Sequence, residues 1–188
     1  MTKTIAFMPR RPGSTRSEFR THYETRHAPM AMPLFPFSRY RRNHLPEDAG
    51  EPGFDCISEF WVSSLEEIGE LMAGDAGTTM REDERRFLDQ ERTRAGVSEP
   101  VLTDGDAGDT ILLLTDEGGD RSALTDACRT VGASLEFLTS LSDQALPYDA
   151  MIRLSGEQPA LPDGWKKGPC LKIMPSETPP DQLRGGAA

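Results

Sequence analysis

The spacing of apolar residues along the first hundred positions predicts a regular alternation of strands and helices. Alternating or continuous apolar runs predict strands, whereas apolar residues three or four positions apart predict helices. The predicted strands are 3–8, 37–45, 54–62 and 97–103, and the predicted helices are 15–27, 64–74 and 79–92. The order β-α-β-β-α-β is typical of the ferredoxin-like α+β fold.

The second half of the chain repeats part of this order. Strands are predicted at 110–115, 134–141, 148–154 and 170–174, with one helix at 121–132. A stretch rich in Pro and Gly, residues 156–169, stands where a second helix would be. Only the order of elements, and no sequence identity between the halves, indicates a repeat.

These patterns predict two tandem repeats that form an intrachain pseudo-dimer. We expect a first ferredoxin-like repeat at 1–104, which holds the active site, and a degenerate second repeat at 105–176. Residues 177–188 are expected to be a disordered tail, because they are polar and terminal.

The first predicted helix has clear signals at both ends. Thr15 and Glu18 form a capping-box pattern at its start. Pro29 disfavours helical dihedral angles at the preceding residue. The helix is therefore expected to end near His27.

His27 is the first candidate for proton transfer, because histidine has an unperturbed pKa close to neutrality. It shares a helix face with Phe19 and Tyr23, whereas His22 falls off this stripe and is expected to face solvent. A helix C-terminus favours the imidazolium, and burial favours the neutral ring. The sequence leaves the direction of the pKa shift open, and a core histidine bonded to a backbone carbonyl is the alternative.

The strand at 37–45 is unusually polar and predicts either a solvated edge or the wall of a polar pocket. Its alternation places Tyr40, Arg42 and His44 on one face and Asn43 on the other. A tyrosine hydroxyl beside a cation can stabilise a developing enolate. Tyr40 is therefore the second catalytic candidate, and Arg42, Asn43 and His44 are substrate-binding candidates.

The strand at 54–62 adds two carboxylates and an aromatic residue on one face, namely Asp55, Glu59 and Trp61. We expect Asp55 and Glu59 to form ion pairs with arginines of the strand at 37–45. A role as general base or in substrate binding is the alternative. Trp61 and Phe37 are the first candidates for stacking on a planar substrate, although aromatic residues more often belong to a core.

Composition narrows the classes of function. The net charge of −10 argues against a nucleic-acid partner, and the longest aliphatic run, residues 111–114, is far too short to cross a membrane. The three cysteines are far apart with no CxxC, which favours reduced thiols over disulfides or a zinc site. No glycine-rich nucleotide-binding pattern or GxSxG motif occurs. We therefore expect a soluble cytoplasmic protein, and the sequence gives no support for a nucleotide cofactor, a serine hydrolase or a metal site of diagnostic spacing.

The segment RRPGSTRSEFRTHYETRHAPM, with FSRYRRNHL, FDCISEFWVSSLEE and REDERRFLD, resembles the EthD family of dimeric α/β-barrel proteins. The resemblance covers about residues 4–92 and implies a ferredoxin-like fold whose sheets pair into a barrel. In the methylmuconolactone methylisomerase branch, a helix-terminal histidine and a tyrosine on the next strand are the active-site groups. The matching positions are His27 and Tyr40, and the family also recurrently fills the polar positions Asn43, His44, Asp55 and Glu59.

The resemblance implies a cofactor-free lyase or isomerase with histidine acid–base catalysis. Cyclisation, dehydration, decarboxylation or rearrangement of an aromatic polyketide or lactone is the expected class of reaction. A cofactor-independent monooxygenase and a non-catalytic small-molecule-binding or assembly module are the alternatives. Most members are nearer one hundred residues long, so a monomer with a pseudo-dimeric barrel and a homodimer are both open.

Overall fold

The computed structural model describes residues 1–104 and 106–185 and shows a mixed α+β chain. The strands are β1 (Thr2–Met8), β2 (Arg39–His44), β3 (Cys56–Val62), β4 (Arg94–Leu102), β5 (Thr110–Asp116), β6 (Ser134–Ser140), β7 (Ala150–Leu154), β8 (Trp165–Lys172) and β9 (Met174–Thr178). The α-helices are α1 (Arg16–His22), α2 (Ala28–Leu34), α3 (Leu65–Ala73), α4 (Asp75–Glu84) and α5 (Arg121–Thr130), with a π-helical turn at Tyr23–His27 and a 3₁₀ turn at Pro180–Gln182. The chain divides into two compact units, residues 1–95 with the C-terminal segment from Pro175, and residues 96–174.

In the first unit, β1, β3 and β2 are antiparallel neighbours in that order, and β9 lies beyond β2. The chain crosses from β1 to β2 through α1, the π-helical turn and α2, which leaves room for β3 between the two strands. Side chains from the helices and from one face of the sheet form the core, and this core is rich in aromatic rings.

In the second unit, the strand order is β8-β5-β7-β6-β4, and β5, β7 and β6 are antiparallel neighbours. The order β5-β7-β6 repeats the order β1-β3-β2 of the first unit: in each set of three successive strands, the third lies between the other two. Leu124 and Cys128 of α5 pack on the sheet in a core that is almost wholly aliphatic and aromatic. No helix stands between β7 and β8, as the Pro- and Gly-rich stretch predicted.

The helical path does not end near His27, contrary to the prediction from Pro29. The π-helical turn changes the hydrogen-bond register, so that the N–H of Ala28 donates to the carbonyl of Tyr23. Pro29 then lies at the first positions of α2, where a missing N–H costs little. The helix therefore continues to Leu34.

The charged helix predicted at 79–92 is found earlier, at Asp75–Glu84. Gly74 begins it, and Gly77 lets α4 approach the end of α3, because a Cβ at Gly77 would lie 2.0 Å from the carbonyl oxygen of Met72. Beyond the end of α4, the carbonyl of Phe87 accepts a hydrogen bond from the N–H of Arg11. The backbone of this segment therefore pairs with the loop after β1.

The C-terminal segment is ordered where the sequence predicted a disordered tail. Residues 174–178 form β9, Leu183 is buried in the core of the first unit, and the N–H of Gly185 donates to the carbonyl of Phe37. Hydrogen bonds along β2 and one buried leucine compensate for a composition that is otherwise polar. Residues 186–188, the end of the predicted tail, lie outside the described residues.

Within the described residues, none of the helices has the length and apolar character needed to span a membrane.

Candidate active site

Three side chains of the π-helical turn, those of Tyr23, Glu24 and His27, make hydrogen bonds to other elements of the first unit. π-Helical turns are rare and occur frequently at functional sites. Each of the three side chains makes a hydrogen bond to a different element, and the three contacts together define the candidate site.

The first contact is a buried chain of hydroxyl groups. The hydroxyl of Tyr40 on β2 donates to the hydroxyl oxygen of Tyr23 at 2.9 Å, and the Tyr23 oxygen lies 2.7 Å from Oγ of Ser58 on β3. Sδ of Met8 lies within 3.2 Å of both the Tyr23 and Ser58 hydroxyls. Both tyrosines are completely buried, and burial raises the pKa of each phenol. They are therefore protonated hydrogen-bond donors at neutral pH.

The second contact centres on the carboxylate of Glu24. It accepts two hydrogen bonds from the guanidinium of Arg42, at 2.8 and 3.0 Å, and lies 2.6 Å from Nε2 of His44. Ser176 donates to the same carboxylate, and Thr178 accepts from Arg42, so β9 completes the network. Arg42 also lies over the ring of Tyr40, 4.4 Å from its centre.

This network shifts the pKa of two of its members in opposite directions. Burial alone would raise the pKa of Glu24, but hydrogen bonds from His44 and Arg42 hold it well below its usual range. Burial alone would lower the pKa of His44, but its contacts with Cys56 and Glu24 raise it to about 9. At neutral pH the group is therefore an ion pair between the Glu24 carboxylate and two cations.

The third contact joins His27 to α4. Nδ1 of His27 lies 3.1 Å from Oδ2 of Asp83, and Nε2 of His22 lies 2.9 Å from Oδ1 of the same carboxylate. Burial lowers the pKa of His27, although the hydrogen bond that the ring makes to Asp83 acts in the opposite direction. The imidazole is therefore neutral near pH 7, which decides the question that the sequence left open.

The structure brings together four of the residues that the sequence selected. Tyr40, Arg42 and His44 lie on the face of the sheet that packs against the helices, and His27 faces them from the π-helical turn. Tyr23 contacts three of these residues, namely Tyr40, His27 and His44. Phe37 is part of the same core and packs against Tyr40, with ring centres 5.3 Å apart.

Three other selected residues lie on the opposite face. Asn43 donates to the Glu59 carboxylate, and Lys3 forms an ion pair with Glu59. Trp61 lies beneath the cations of Lys3 and Arg39, at 4.7 and 4.5 Å from its ring. These residues are therefore separated by the sheet from His27 and Tyr40.

The predicted pairing of Asp55 with arginines of the polar strand is wrong. Asp55 pairs with Arg10 and Arg16, which flank the loop between β1 and α1. The arginines of β2 find other partners, since Arg39 and Arg41 both bind Glu177 of β9. Asp55 therefore ties α1 to the start of β3, and it also lines a surface depression around residues 9–15.

Sequence reasoning missed Asp83, Glu24 and the hydroxyls of β9. It placed His22 in solvent, but this side chain is only 19% exposed and hydrogen-bonds to Asp83. A π-helical turn has no reliable sequence signature, and it is this turn that carries Glu24, the partner of Arg42 and His44. Among the described residues, no group of three or more His, Cys, Asp or Glu side chains is arranged to hold a metal ion.

The comparisons with known proteins support the resemblance to the EthD family for part of the chain. Residues 11–91 match the model of the EthD domain family, so the resemblance is confirmed over a stretch shorter than half of the chain. A solved structure described as a "putative chlorite dismutase" is 8% identical to this chain, with a TM-score of 0.47, and the alignment covers 92% of this chain and 94% of that one. None of the curated proteins matches the sequence.

Proposed function

Because residues 11–91 carry an EthD domain, we propose that the first unit is a cofactor-free lyase or isomerase that acts on an aromatic polyketide or a lactone. The observation that supports this proposal is the state of His27. Its imidazole is buried and neutral, its Nδ1 is bonded to a carboxylate, and within the described residues Nε2 has no hydrogen-bond partner. Such a ring is suited to general-base catalysis.

In the proposed reaction, Nε2 of His27 removes a proton from a carbon next to a carbonyl group and later returns it to another atom. Negative charge develops on the carbonyl oxygen as the proton leaves. Tyr40 donates a hydrogen bond to that oxygen when the substrate replaces the Tyr23 hydroxyl as its acceptor. Arg42 and His44 add positive charge on the same face of the sheet.

Substrate entry requires side chains to move, because the side chain of His27 is only 5% exposed. The residues packed around the core include Met30, Met32 and Met72, which are only partly buried. Methionine side chains are unbranched and adapt to different shapes. We propose that these residues of α2 and α3 rearrange to admit a planar substrate, which then stacks near Phe37.

Two finer proposals accompany the proposed reaction. The first concerns assembly: the same order of three successive strands occurs in both units, which supports tandem repeats that form a pseudo-dimeric barrel, with a homodimer as the alternative.

The second concerns the residues that lie away from His27 and Tyr40. Asn43, Glu59 and Trp61 on the opposite face of the sheet act outside the catalytic step, and so does Asp55.

The test is turnover without added cofactor of a panel of anthrones, phenols and unsaturated lactones, read by product mass. We expect His27→Gln to lower kcat by roughly 10²- to 10⁴-fold, as loss of a general base does. Tyr40→Phe should lower it by roughly 10²- to 10³-fold. Tyr148→Phe in the second unit is the matched control and should keep wild-type activity.

A product of unchanged mass, or one that has lost water or CO2, supports the proposal. A gain of oxygen would assign the protein to the cofactor-independent monooxygenases instead. The complete burial of Tyr40 favours a second candidate, a non-catalytic binding module. That function is indicated if the panel binds but none of its members is converted. Conversion by His27→Gln at the wild-type rate would instead show that His27 is not the general base.

A further inference from the structure

Asp83 in the last turn of α4 and Phe87 just beyond the helix contact both histidines of the first helical segment. Asp83 offers one carboxylate oxygen to each ring, Oδ1 to His22 and Oδ2 to His27. Phe87 packs against the same two rings, stacked on His22 with centres 4.7 Å apart and tilted against His27 at 4.9 Å. Each imidazole is thus held at its edge by a carboxylate and on its face by an aromatic ring.

We infer that Asp83 is a positioning residue that fixes the tautomer of His27, with the proton on Nδ1 and the lone pair on Nε2. A carboxylate accepts hydrogen bonds and cannot donate one when ionised, so the nitrogen that faces it must carry the proton. Asp83 is 3% exposed, and an ionised carboxylate in such a place needs donors on its oxygens. Both histidine rings supply one.

His22 orients the carboxylate of Asp83. By donating from Nε2 to Oδ1, it holds the carboxylate plane so that Oδ2 faces His27. Its stacking on Phe87 fixes the direction from which it donates. His22 is thus the residue that orients Asp83, as Asp83 orients His27.

The charged groups around His27 act on it in different ways. Asp83 and Glu84 favour the imidazolium, and His22, when charged, disfavours it, while burial lowers the pKa overall. Among the described residues, Asp83 is the one that hydrogen-bonds to the ring, so it is the one that can select a tautomer. Glu84, one residue further along, acts through its charge alone and is the natural control.

The direct test is nitrogen NMR of the histidine rings in the full chain without substrate. In the wild type we expect the protonated-nitrogen signal at Nδ1 of His27 and the unprotonated signal at Nε2. Asp83→Asn should populate the other tautomer, because an amide can also donate, and should lower the pKa of His27 further. His22→Gln, whose amide can still donate to Oδ1, should retain the wild-type tautomer, and Glu84→Gln should lower the pKa without changing the tautomer.

An Nε2-protonated His27 in the wild type would overturn the inference, and so would an Asp83→Asn protein with unchanged tautomer and pKa. If Asp83→Asn does not fold, the spectra of the wild type and of His22→Gln still show which ring nitrogen of His27 carries the proton. The inference rests on the proposed role of His27, but the NMR measurement needs no turnover. If NMR shows the expected tautomer but no panel member is converted, the proposed function is refuted and the inference stands. If the panel is converted but NMR shows the opposite tautomer, the inference is refuted and the proposed function stands.

Where turnover is found, Asp83→Asn should lower kcat by up to roughly 10²- to 10⁴-fold, because the wrong tautomer offers no lone pair to the substrate. KM should change little, since Asp83 does not touch the substrate. A rise in KM at constant kcat would contradict a positioning role.

Discussion

The two units use the same arrangement of three strands and a covering helix, but they fill the space between helix and sheet differently. In the second unit, Leu124 and Cys128 of α5 meet leucine and isoleucine side chains of the sheet. In the first unit, the corresponding space holds Tyr23, Tyr40 and His27 with their hydrogen-bond partners. Apolar packing is the simplest way to stabilise such a layer, and buried polar groups need complete partners.

This difference indicates that the core of the second unit serves stability, whereas the polar layer of the first unit can also serve chemistry. Residues 96–174 contain no histidine, and the described side chains of the hydrophobic cluster beneath α5 are apolar apart from the thiol of Cys128. The first unit holds all three histidines of the chain, each bonded to a carboxylate. Changes in the second core should therefore affect folding, and changes in the first should affect charge and proton transfer.

The largest effect on stability is expected from Leu124→Ala in the second unit. Leu124 is completely buried, so truncation leaves a cavity and should lower the free energy of unfolding by roughly 2–5 kcal/mol. Denaturant unfolding followed by circular dichroism measures this loss. Leu141→Ala is the matched control, because Leu141 is 49% exposed and should change stability by less than about 0.5 kcal/mol.

The same variant tests the separation of roles. Below its unfolding temperature, Leu124→Ala should keep the wild-type tautomer of His27 and any turnover found. Loss of either property in a folded protein would show that the second core also determines the chemistry of the first.

The next effect is a loss of stability at alkaline pH that depends on His44. Its pKa is raised to about 9 in the folded chain, against about 6.5 for a free histidine. The stabilisation is therefore complete below about pH 6.5 and is lost as the pH rises through about 9. It amounts to at most roughly 3–4 kcal/mol, since one pKa unit corresponds to about 1.4 kcal/mol.

The measurement is the free energy of unfolding at intervals between pH 6 and 10, for the wild type and His44→Gln. The difference between the two proteins should shrink as the pH rises across this window. A difference that is constant with pH would mean that His44 is neutral in the folded protein, and that the Glu24 network holds one cation fewer.

The sequence predicts the fold of the first unit well, because its strands and caps depend on short-range patterns. The capping box of Thr15 and Glu18 is present, and the alternation of β2 correctly directs Tyr40 and His44 to the same face. What it misses depends on contacts between distant positions. Asp83 is bonded to a residue 56 positions earlier, and nothing in its neighbourhood distinguishes it from the other acidic residues of α4.

The C-terminal segment is a second case in which contacts between distant positions determine the structure. Its composition is that of a flexible tail, yet Ser176 and Thr178 bond to side chains more than 130 positions earlier. Polar residues with few apolar neighbours become ordered when a network of charges supplies their partners. That network exists only once β2 and the π-helical turn are in place.

The smallest effect is expected from Ser176→Ala, which tests whether β9 belongs to the polar layer of the first unit. The Ser176 hydroxyl accepts from Arg42 at 3.0 Å and donates to Glu24 at 2.9 Å, so it joins the two ends of an ion pair. Its removal should lower the free energy of unfolding by about 1 kcal/mol, since both partners keep other hydrogen bonds. Ser155→Ala, at an exposed serine of the second unit, should have no measurable effect. If the two variants are equally stable, the Ser176 hydroxyl adds nothing to the stability of the Glu24 network, and Thr178 is the residue of β9 that remains bonded to Arg42.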